Sequence, residues 1–200
     1  MTISRLYIVF SLSVLMLSIG ACSGLTQSDK PAIKRWWLEP YVVAAPAEPA
    51  DPPVPVALSV TVIPGLDSDR ILTLSDDAEL SQFAAARWVD HLPELVSSLT
   101  GRSLQATGQF EVASEIATSR ADVCNLKLEI REFFADIGST GRVSGVRVAI
   151  NGSFECESSV SIVFHSASSV AVADERMNVI VAAFQQAMDS VTKDILAKIQ

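Results

Sequence analysis

Strict alternation of apolar and polar residues marks two segments in the second half of the chain. Every second residue of Cys124–Ile130 is apolar, and the same period of two, with a glycine at one inward position, recurs in Val148–Cys156. This pattern is typical of half-buried strands. The segment between them, Gly138–Gly145, reads "GSTGRVSG" and is rich in turn residues. The pattern therefore predicts a long antiparallel hairpin with one apolar side.

Helical periodicity marks two other segments. Asp90 can cap a helix that begins near His91, Pro93 fits its first turn, and Gly108 can end it. A longer helix is predicted from about Asp174 to Ile199. Apolar side chains at helical spacing give each helix a stripe that we expect to be buried. The stripes are Leu92, Leu95, Val96, Leu99 and Leu104 in the first helix, and Ile180, Ala183, Phe184, Ala187, Val191, Ile195 and Ile199 in the second.

The remaining elements are less regular. Strands are predicted at 33–41, 57–64 and 159–165, with an extended segment at 69–74 that suits a sheet edge. The segment 79–89 fits a strand or a helix. Prolines lack a backbone donor and bias the preceding residue to extended forms, so the proline-rich segment 44–57 is predicted as a loop.

Length and composition agree with one domain. A chain of 200 residues that is 49 % hydrophobic can bury an ordinary core. The elements together predict an α/β (α+β) protein in which a mixed, mostly antiparallel twisted sheet packs with two main helices over residues 32–200. The formal net charge is −8. Because phosphate contacts need a clustered basic surface, we do not expect nucleic-acid binding.

The first residues carry a targeting pattern. Arg5 precedes a stretch of apolar and small residues from Leu6 to Ile19, which is too short to span a bilayer and has the length of a secretory signal. The next residues complete "IGAC", which resembles the bacterial lipobox, whose cysteine carries diacylglycerol in the mature protein. We expect a lipoprotein signal peptide over 1–21 and lipidation of Cys22. The alternative is an ordinary signal peptide with an incidental cysteine.

The lipid anchor sets the expected location. Several acyl chains, palmitate among them, hold a protein at a membrane more firmly than a single chain does. Residues 22–31 then form a short polar tether. Ser23, rather than an aspartate, follows the cysteine, and by resemblance to bacterial lipoproteins this favours the outer membrane over the inner one. The expected location is the outer membrane, lipid-anchored and facing the periplasm.

Two cysteines remain after lipidation, Cys124 and Cys156. In an exported protein an even pair suggests a disulfide. A hairpin folded about Thr140 brings them opposite each other. The same register pairs Ile130 with Ile150 and Leu126 with Phe154. We therefore predict a cross-strand disulfide worth about 3 to 4 kcal/mol, against the alternatives of two buried free thiols or a metal pair, which lacks a nearby histidine.

Catalytic and metal-binding patterns are weak. The aspartates between Asp67 and Asp77 lack the spacing of a calcium loop and fit solvated turn residues. The sequence contains no Gly-x-Ser-x-Gly motif and no phosphate-binding glycine loop. His91 and His165 are predicted at a helix start and a strand end, where a surface role is expected. We predict no catalytic residue, no metal and no cofactor.

Arg70, Arg87 and Trp88 allow two interpretations. In the structural one, Trp88 fills the core where a strand meets a helix and the arginines pair with carboxylates. In the functional one, these residues line a partner surface, since tryptophan and arginine dominate interface energetics. Trp36 and Trp37 are adjacent and so point to opposite faces of a strand. One of them is expected in the core and the other near the tether.

Several motifs together resemble those of a known family. "VIPGLDSDRIL", "ELSQFAAARWVDHLPELV", "LKLEIREFFADI" and "VAAFQQAMDSVTKDI", following a lipobox, resemble the ABC-type transport auxiliary lipoprotein family, the group of the PqiC-like lipoproteins. The resemblance runs from about Trp36 to the end. It favours a strand at 79–89. It implies a non-enzymatic outer-membrane lipoprotein that works with a periplasmic MCE-domain protein and an ABC permease or ATPase to move lipid between membranes. A homo-oligomer is a further possible partner state.

Two other classes of protein remain open on the sequence alone. A cell-envelope scaffold or assembly lipoprotein would have a different partner and no link to a lipid permease. A lipid-acting hydrolase would need a nucleophile with a base in reach.

Overall fold

The computed structural model describes residues 32–43, 50–113, 123–157 and 160–200. Within it, Ile33–Gln200 form one compact unit. The predicted signal peptide over 1–21, the lipidated Cys22 and the tether over 22–31 lie outside the described residues, as does most of the first half of the proline-rich segment.

One sheet contains all the described strands, and the same part of the chain forms two helices. The strands are β1 (Lys34–Trp36), β2 (Val54–Val62), β3 (Arg70–Ser75), β4 (Leu80–Trp88), β5 (Phe110–Val112), β6 (Cys124–Ile137), β7 (Val143–Glu155) and β8 (Ile162–Ala171). The helices are α1 (Leu92–Ala106) and α2 (Met177–Ile199).

The long strand β6 organises the sheet. On one side, β2 pairs in parallel with its first half and β3 in parallel with its last residues, so the two shorter strands follow one another along the same edge. On the other side, β7 and then β8 continue the sheet with antiparallel pairing. Both pairing directions occur, and the longest ladders are antiparallel. The expected mixed α+β fold is confirmed.

The predicted hairpin register is also confirmed. Ile130 pairs with Ile150 and Leu126 with Phe154. A disulfide joins Cys124 and Cys156, with their Cα atoms 4.2 Å apart and a sequence separation of 32. The alternation of residue types alone therefore set the pairing that brings these cysteines together.

Both helices cover the same face of the sheet. On α1, a Cβ added at Gly101 would lie 3.8 Å from Leu58 of β2. On α2, the ring of Phe184 stacks on Phe133 of β6 at 5.1 Å between centroids. All the stripe residues predicted for the two helices are buried. The core lies between this face and the helices, and the opposite face of the sheet carries alternating polar residues.

The helix starts differ from the prediction. The N-cap of α1 is His91, without a side-chain cap bond, and Asp90 instead accepts a hydrogen bond from the His91 N–H at 2.9 Å. The longer helix begins at Met177 rather than near 174, because Asp174 accepts the Arg176 N–H in a local turn at 2.8 Å. Short acidic side chains often compete with the helical backbone in this way.

Two predictions about strands were wrong. The predicted loop 44–57 ends earlier, since β2 begins at Val54 and is an inner strand that includes Pro55. Pro55 pairs with Glu111 of β5, whereas the ladder with β6 begins only at Val56, so the proline lies outside the β6 ladder. The segment 69–74 was expected at an edge, yet β3 lies between β4 and β6.

Candidate partner-binding surfaces

The loop between β2 and β3 joins the end of β4 to the start of α1. Gly65 in this loop has φ +96°, a left-handed conformation that glycine adopts without strain. The Trp88 N–H donates to the Asp69 carbonyl at 2.7 Å, and the Leu92 N–H donates to the Ser68 carbonyl at 3.2 Å. The "PGLDSD" stretch that carried the family resemblance therefore positions a strand and a helix through main-chain bonds.

An ion pair reinforces this junction. Arg87 donates from Nη1 to Asp69 Oδ1 at 2.5 Å, and both side chains are 22 % exposed. Arg35 lies 3.8 Å from the other carboxylate oxygen of Asp69 and donates to the Trp88 carbonyl at 3.3 Å. Because Arg87 and Asp69 are both partly desolvated, their pairing matters more than that of an exposed pair.

The three predicted surface residues separate. Trp88 is 1 % exposed and packs edge-on against Phe133 and Phe184, at 5.7 and 5.1 Å between centroids. Trp88 therefore offers no surface to a partner, and that part of the functional interpretation is wrong. Arg87 is held by Asp69, as the structural interpretation expected. Arg70 is exposed, and no carboxylate in the described part of the chain lies within ion-pair distance of it.

The two histidines are exposed. His91 Nδ1 lies 3.3 Å from Asp67 Oδ1, and His165 Nδ1 lies 2.8 Å from Asn151 Oδ1. Across residues 32–43, 50–113, 123–157 and 160–200, no group of three His, Cys, Asp or Glu side chains is arranged to hold a metal ion. Nothing in these contacts pairs a nucleophile with a base.

The adjacent tryptophans at the end of β1 differ in exposure, as expected. Trp36 is partly buried and packs on the core, and its indole N–H has no hydrogen-bond partner among the described residues. Trp37 is 52 % exposed, and the guanidinium of Arg102 lies 5.3 Å from its ring centroid. This cation–π contact holds the exposed indole against α1. Ile33 and Val42 on either side are also exposed.

The β8 edge, meaning the side of Ile162–Ala171 that faces away from β7, is a second exposed feature. β8 pairs with β7 alone among the described strands. At its start, Val163 is 79 % exposed, Ile162 is 42 % exposed, and the nearby Val160 is 88 % exposed. Exposed branched apolar residues so close together are uncommon unless something covers them.

Charged groups of α2 face the sheet beside this strand. Lys198 and Ser166 both donate to Asp194, Ser166 at 2.6 Å, and Lys198 also donates to the His165 carbonyl at 2.8 Å. The hydrogen bond from Lys198 above all, and that from Ser166, lower the pKa of Asp194. Burial has the opposite effect five residues earlier, where it raises the pKa of Asp189 despite a hydrogen bond from Gln185.

Cavities add little to this picture. An open depression of about 400 Å³ lies between β2 and α1, lined by Val60, Pro93, Glu94, Ser97 and Ser98. Neither of the described helices is long and apolar enough to cross a bilayer.

Comparison with known proteins decides the family. A match to the family described as ABC-type transport auxiliary lipoprotein component covers residues 38–196. The chain belongs to this family. The match spans every described strand except β1, which precedes it, and both helices except the last residues of α2. Membership places the chain among lipoproteins associated with ABC transport systems. None of the curated proteins matches the chain.

Two solved structures share the fold of this chain. An uncharacterized protein aligns with a TM-score of 0.63 at 14 % identity, covering 85 % of this chain and 100 % of its own. Protein XCC0632 from Xanthomonas campestris, of family DUF330, aligns with a TM-score of 0.60 at 18 % identity, covering 83 % and 91 %. The PelC dodecamer from Paraburkholderia phytofirmans aligns less well, with a TM-score of 0.39 at 15 % identity over 86 % and 96 %. The first two alignments, at such low identities, indicate a shared fold and nothing further.

The sequence pattern did not indicate the exposed β8 edge. The predicted strand at 159–165 stops where β8 has six more residues, because "SASSVA" lacks the large apolar residues by which a strand is recognised. The exposed valines at the start of β8 were visible in the sequence. Their exposure was not, since alternation alone does not tell which strand ends the sheet.

Proposed function

We propose that this member of the family is a non-enzymatic auxiliary lipoprotein of an MCE-associated ABC system that transports lipid between membranes. Its role is to dock the periplasmic components at the outer membrane. The observation that carries the proposal is the family match over residues 38–196, which lies downstream of the lipobox-like "IGAC" ending at Cys22. The family description, a transport component, is consistent with a role without catalysis.

The anchor supplies the proposed mechanism. A signal peptide over 1–21 is removed, Cys22 receives acyl chains, and residues 22–31 tether the domain from 32 onwards. Ser23 supports the outer membrane as the destination. Confinement to one membrane raises the effective concentration of the domain at its partner, so a modest contact becomes a stable one without any new interaction. The domain can act in this way without holding lipid itself.

Recovery of partners from native membranes tests the proposal. The tagged, lipidated protein is purified from gently solubilised membranes, and co-purified proteins and lipids are identified by mass spectrometry. We expect an MCE-domain protein together with its permease or ATPase. Recovery of wall or lipopolysaccharide machinery in their place would show an envelope scaffold and would refute the transport role.

A Cys22→Ser variant tests the tether. The folded domain is expected to keep its disulfide and thermal stability, because the core cluster of the described residues runs from Leu38 to Ile199 and Cys22 precedes it. Transport and partner recovery are expected to fall. Full transport by an unanchored periplasmic form would show that the anchor is dispensable and would contradict the mechanism.

A further inference from the structure

We propose that the β8 edge is the docking site of this protein, and that it takes up an extended, uncharged segment of the periplasmic partner as an additional strand. The identity of that partner rests on the proposed function, whereas the docking mode rests on the geometry of β8. Strand addition to an open sheet edge gives affinity through main-chain hydrogen bonds and specificity through alternate side chains.

The hydrogen-bond register shows which backbone groups are free. The Ile63 N–H donates to the Ile130 carbonyl, so the N–H and C=O groups of Ile130 point towards β2. The same groups of its partner Ile150 therefore point towards β8. Ile150 pairs with Ser166, whose backbone groups therefore bond to β7. In an antiparallel ladder the neighbouring residues point the opposite way. The residues whose N–H and C=O groups point away from β7, called the outward set, are Val163, His165, Ala167, Ser169 and Ala171.

An independent contact agrees with this assignment. Lys198 donates from Nζ to the His165 carbonyl at 2.8 Å, which requires that carbonyl to point away from β7. Among the described residues, Lys198 is the one group that bonds to the outward backbone of β8. The N–H and C=O groups of Ala167, Ser169 and Ala171 remain without a partner in the described part of the chain.

Apart from Lys198 at the His165 carbonyl, the β8 edge lacks the usual protection against pairing. Exposed edge strands normally carry charged side chains, proline or bulges, or are very short. β8 has 10 residues with none of Asp, Glu, Lys, Arg or Pro, and its ladder with β7 is regular from Ile162 to Ala171. The other terminal strands, β1 and β5, have three residues each. β8 is therefore the edge best suited to accept a strand.

The side chains indicate the chemistry of the partner segment. Ala167, Ser169 and Ala171 are small and exposed, so a neighbouring strand can approach without a clash. Val160, Ile162 and Val163 form an exposed apolar end. A matching segment has apolar residues where it meets this end and small or polar ones beyond it, and its pairing is expected to depend little on salt.

A second copy of this chain fits less well. The antiparallel self-pairing that uses all of the outward set, Val163 to Ala171, is centred on Ala167 and would set Val160 opposite Asp174 of the second copy. The exposed apolar end would then meet a carboxylate that already pairs with Arg176. A partner of different sequence can cover the valines, which is why we commit to a segment of another protein.

Proline at an outward position tests the docking mode. Ala167→Pro removes an N–H that does not bond to β7, and proline is tolerated on edge strands for this reason. The matched control is Ala167→Ser, which keeps the amide and nearly the same volume. In the native-membrane purification described above, we expect Ala167→Pro to reduce recovery of the MCE-domain protein at least tenfold relative to wild type, and Ala167→Ser to leave it within twofold. Ser169→Pro, paired with Ser169→Thr, repeats the test should Ala167→Pro fail to fold.

The outcomes of this test decide separately on the docking site and on its occupant. Unchanged recovery with folded Ala167→Pro or Ser169→Pro would overturn the docking site and leave the proposed function standing. Loss of self-association instead of partner loss would identify a second copy as the occupant and overturn the proposed partner segment.

Hydrogen exchange tests the docking mode in the case that no MCE-domain protein is recovered. If the wild-type eluate contains no MCE-domain protein, the proposed function is refuted, and the docking mode is judged from amide exchange in that eluate. Slower exchange across 163–171 than in the purified protein would uphold strand addition by the protein that co-elutes. Equal exchange would overturn it.

Discussion

Gly152 is the position where the packing of β8 on β7 allows no side chain. A Cβ added at Gly152 would lie 2.3 Å from two ring carbons of Phe164 and 2.9 Å from Leu128 Cδ2. Gly152 pairs with Phe164 across one ladder and with Leu128 across the other, so the ring lies directly over the glycine. A Gly152→Ala substitution must therefore displace a rigid ring that is 8 % exposed.

The expected cost of Gly152→Ala follows from this geometry. Overpacking typically destabilises by about 1 to 3 kcal/mol, and contacts on both sides of the new methyl favour the upper part of that range. Loss of the extra freedom of glycine in the unfolded chain offsets about 0.4 to 1 kcal/mol. We expect a net loss of about 2 kcal/mol, which corresponds to a fall in Tm of roughly 4 to 8 °C for a domain of this size.

A double-mutant cycle tests the reasoning. Thermal and urea unfolding are followed by circular dichroism for wild type, Gly152→Ala, Phe164→Ala and the double variant, all with the disulfide formed. Phe164→Ala alone should cost about 3 to 5 kcal/mol. In that background Gly152→Ala should cost much less, because the ring is absent and only the contact with Leu128 Cδ2 remains. An equal cost of Gly152→Ala in both backgrounds would refute the assigned clash.

Three further predictions concern the junction loop, the disulfide and the charges of α2. Arg87→Ala should lower the free energy of unfolding by about 1 to 3 kcal/mol, because Asp69 stays partly buried with its main partner removed. Arg70 is exposed, so Arg70→Ala should change the free energy of unfolding by less than about 0.5 kcal/mol. Equal effects of the two substitutions in urea unfolding would contradict the different roles of the two arginines. Replacing both Cys124 and Cys156 by serine should cost about 2 to 5 kcal/mol, and a Tm unaffected by the replacement or by reductant would show that the crosslink does not stabilise the fold. Asp194 has a lowered pKa in the folded protein, so its charge stabilises the fold above the ordinary aspartate pKa, and this effect is lost as pH falls through the lower folded pKa. Asp189 has a raised pKa in the folded protein, so its charge opposes folding once pH exceeds the ordinary aspartate pKa. Asp194→Asn should therefore destabilise and Asp189→Asn should stabilise at pH 7, with both differences shrinking towards acid pH in urea titrations, and effects of the same sign would contradict these pKa directions.

The hairpin shows why part of the fold could be predicted from the sequence. Alternation with a period of two specifies which side chains share a face, and a one-residue slip would expose the whole apolar set. The pairing of Leu126 with Phe154 and the disulfide between Cys124 and Cys156 both follow from that constraint. The helix stripes were predictable for the same reason, since burial is enforced at every turn.

Other features depend on neighbours that are distant in sequence. Whether β3 lies at an edge is decided by the pairing of β6 on its far side. Pro55 can occupy an inner strand because β6 begins its ladder one residue later. The free side of β8 is likewise set by the order of strands in the sheet. Such facts of topology leave no trace in the local pattern, which is why the candidate docking site was not predicted.

The proposed edge contact and the proposed anchor depend on each other. A short strand added to β8 gains only a few backbone hydrogen bonds, each worth about 0.5 to 1.5 kcal/mol net, and part of that gain is lost in ordering the segment. Free in the periplasm, such a contact would be weak. A tether over 22–31 spans at most roughly 35 Å when extended, so an anchored domain would stay close to the membrane where the partner arrives, and confinement of this kind can raise apparent affinity by about 10² to 10⁴. If both proposals hold, Cys22→Ser and Ala167→Pro should each reduce partner recovery while leaving the domain folded. The first lowers the local concentration of the β8 edge at the membrane, and the second removes a backbone donor from that edge.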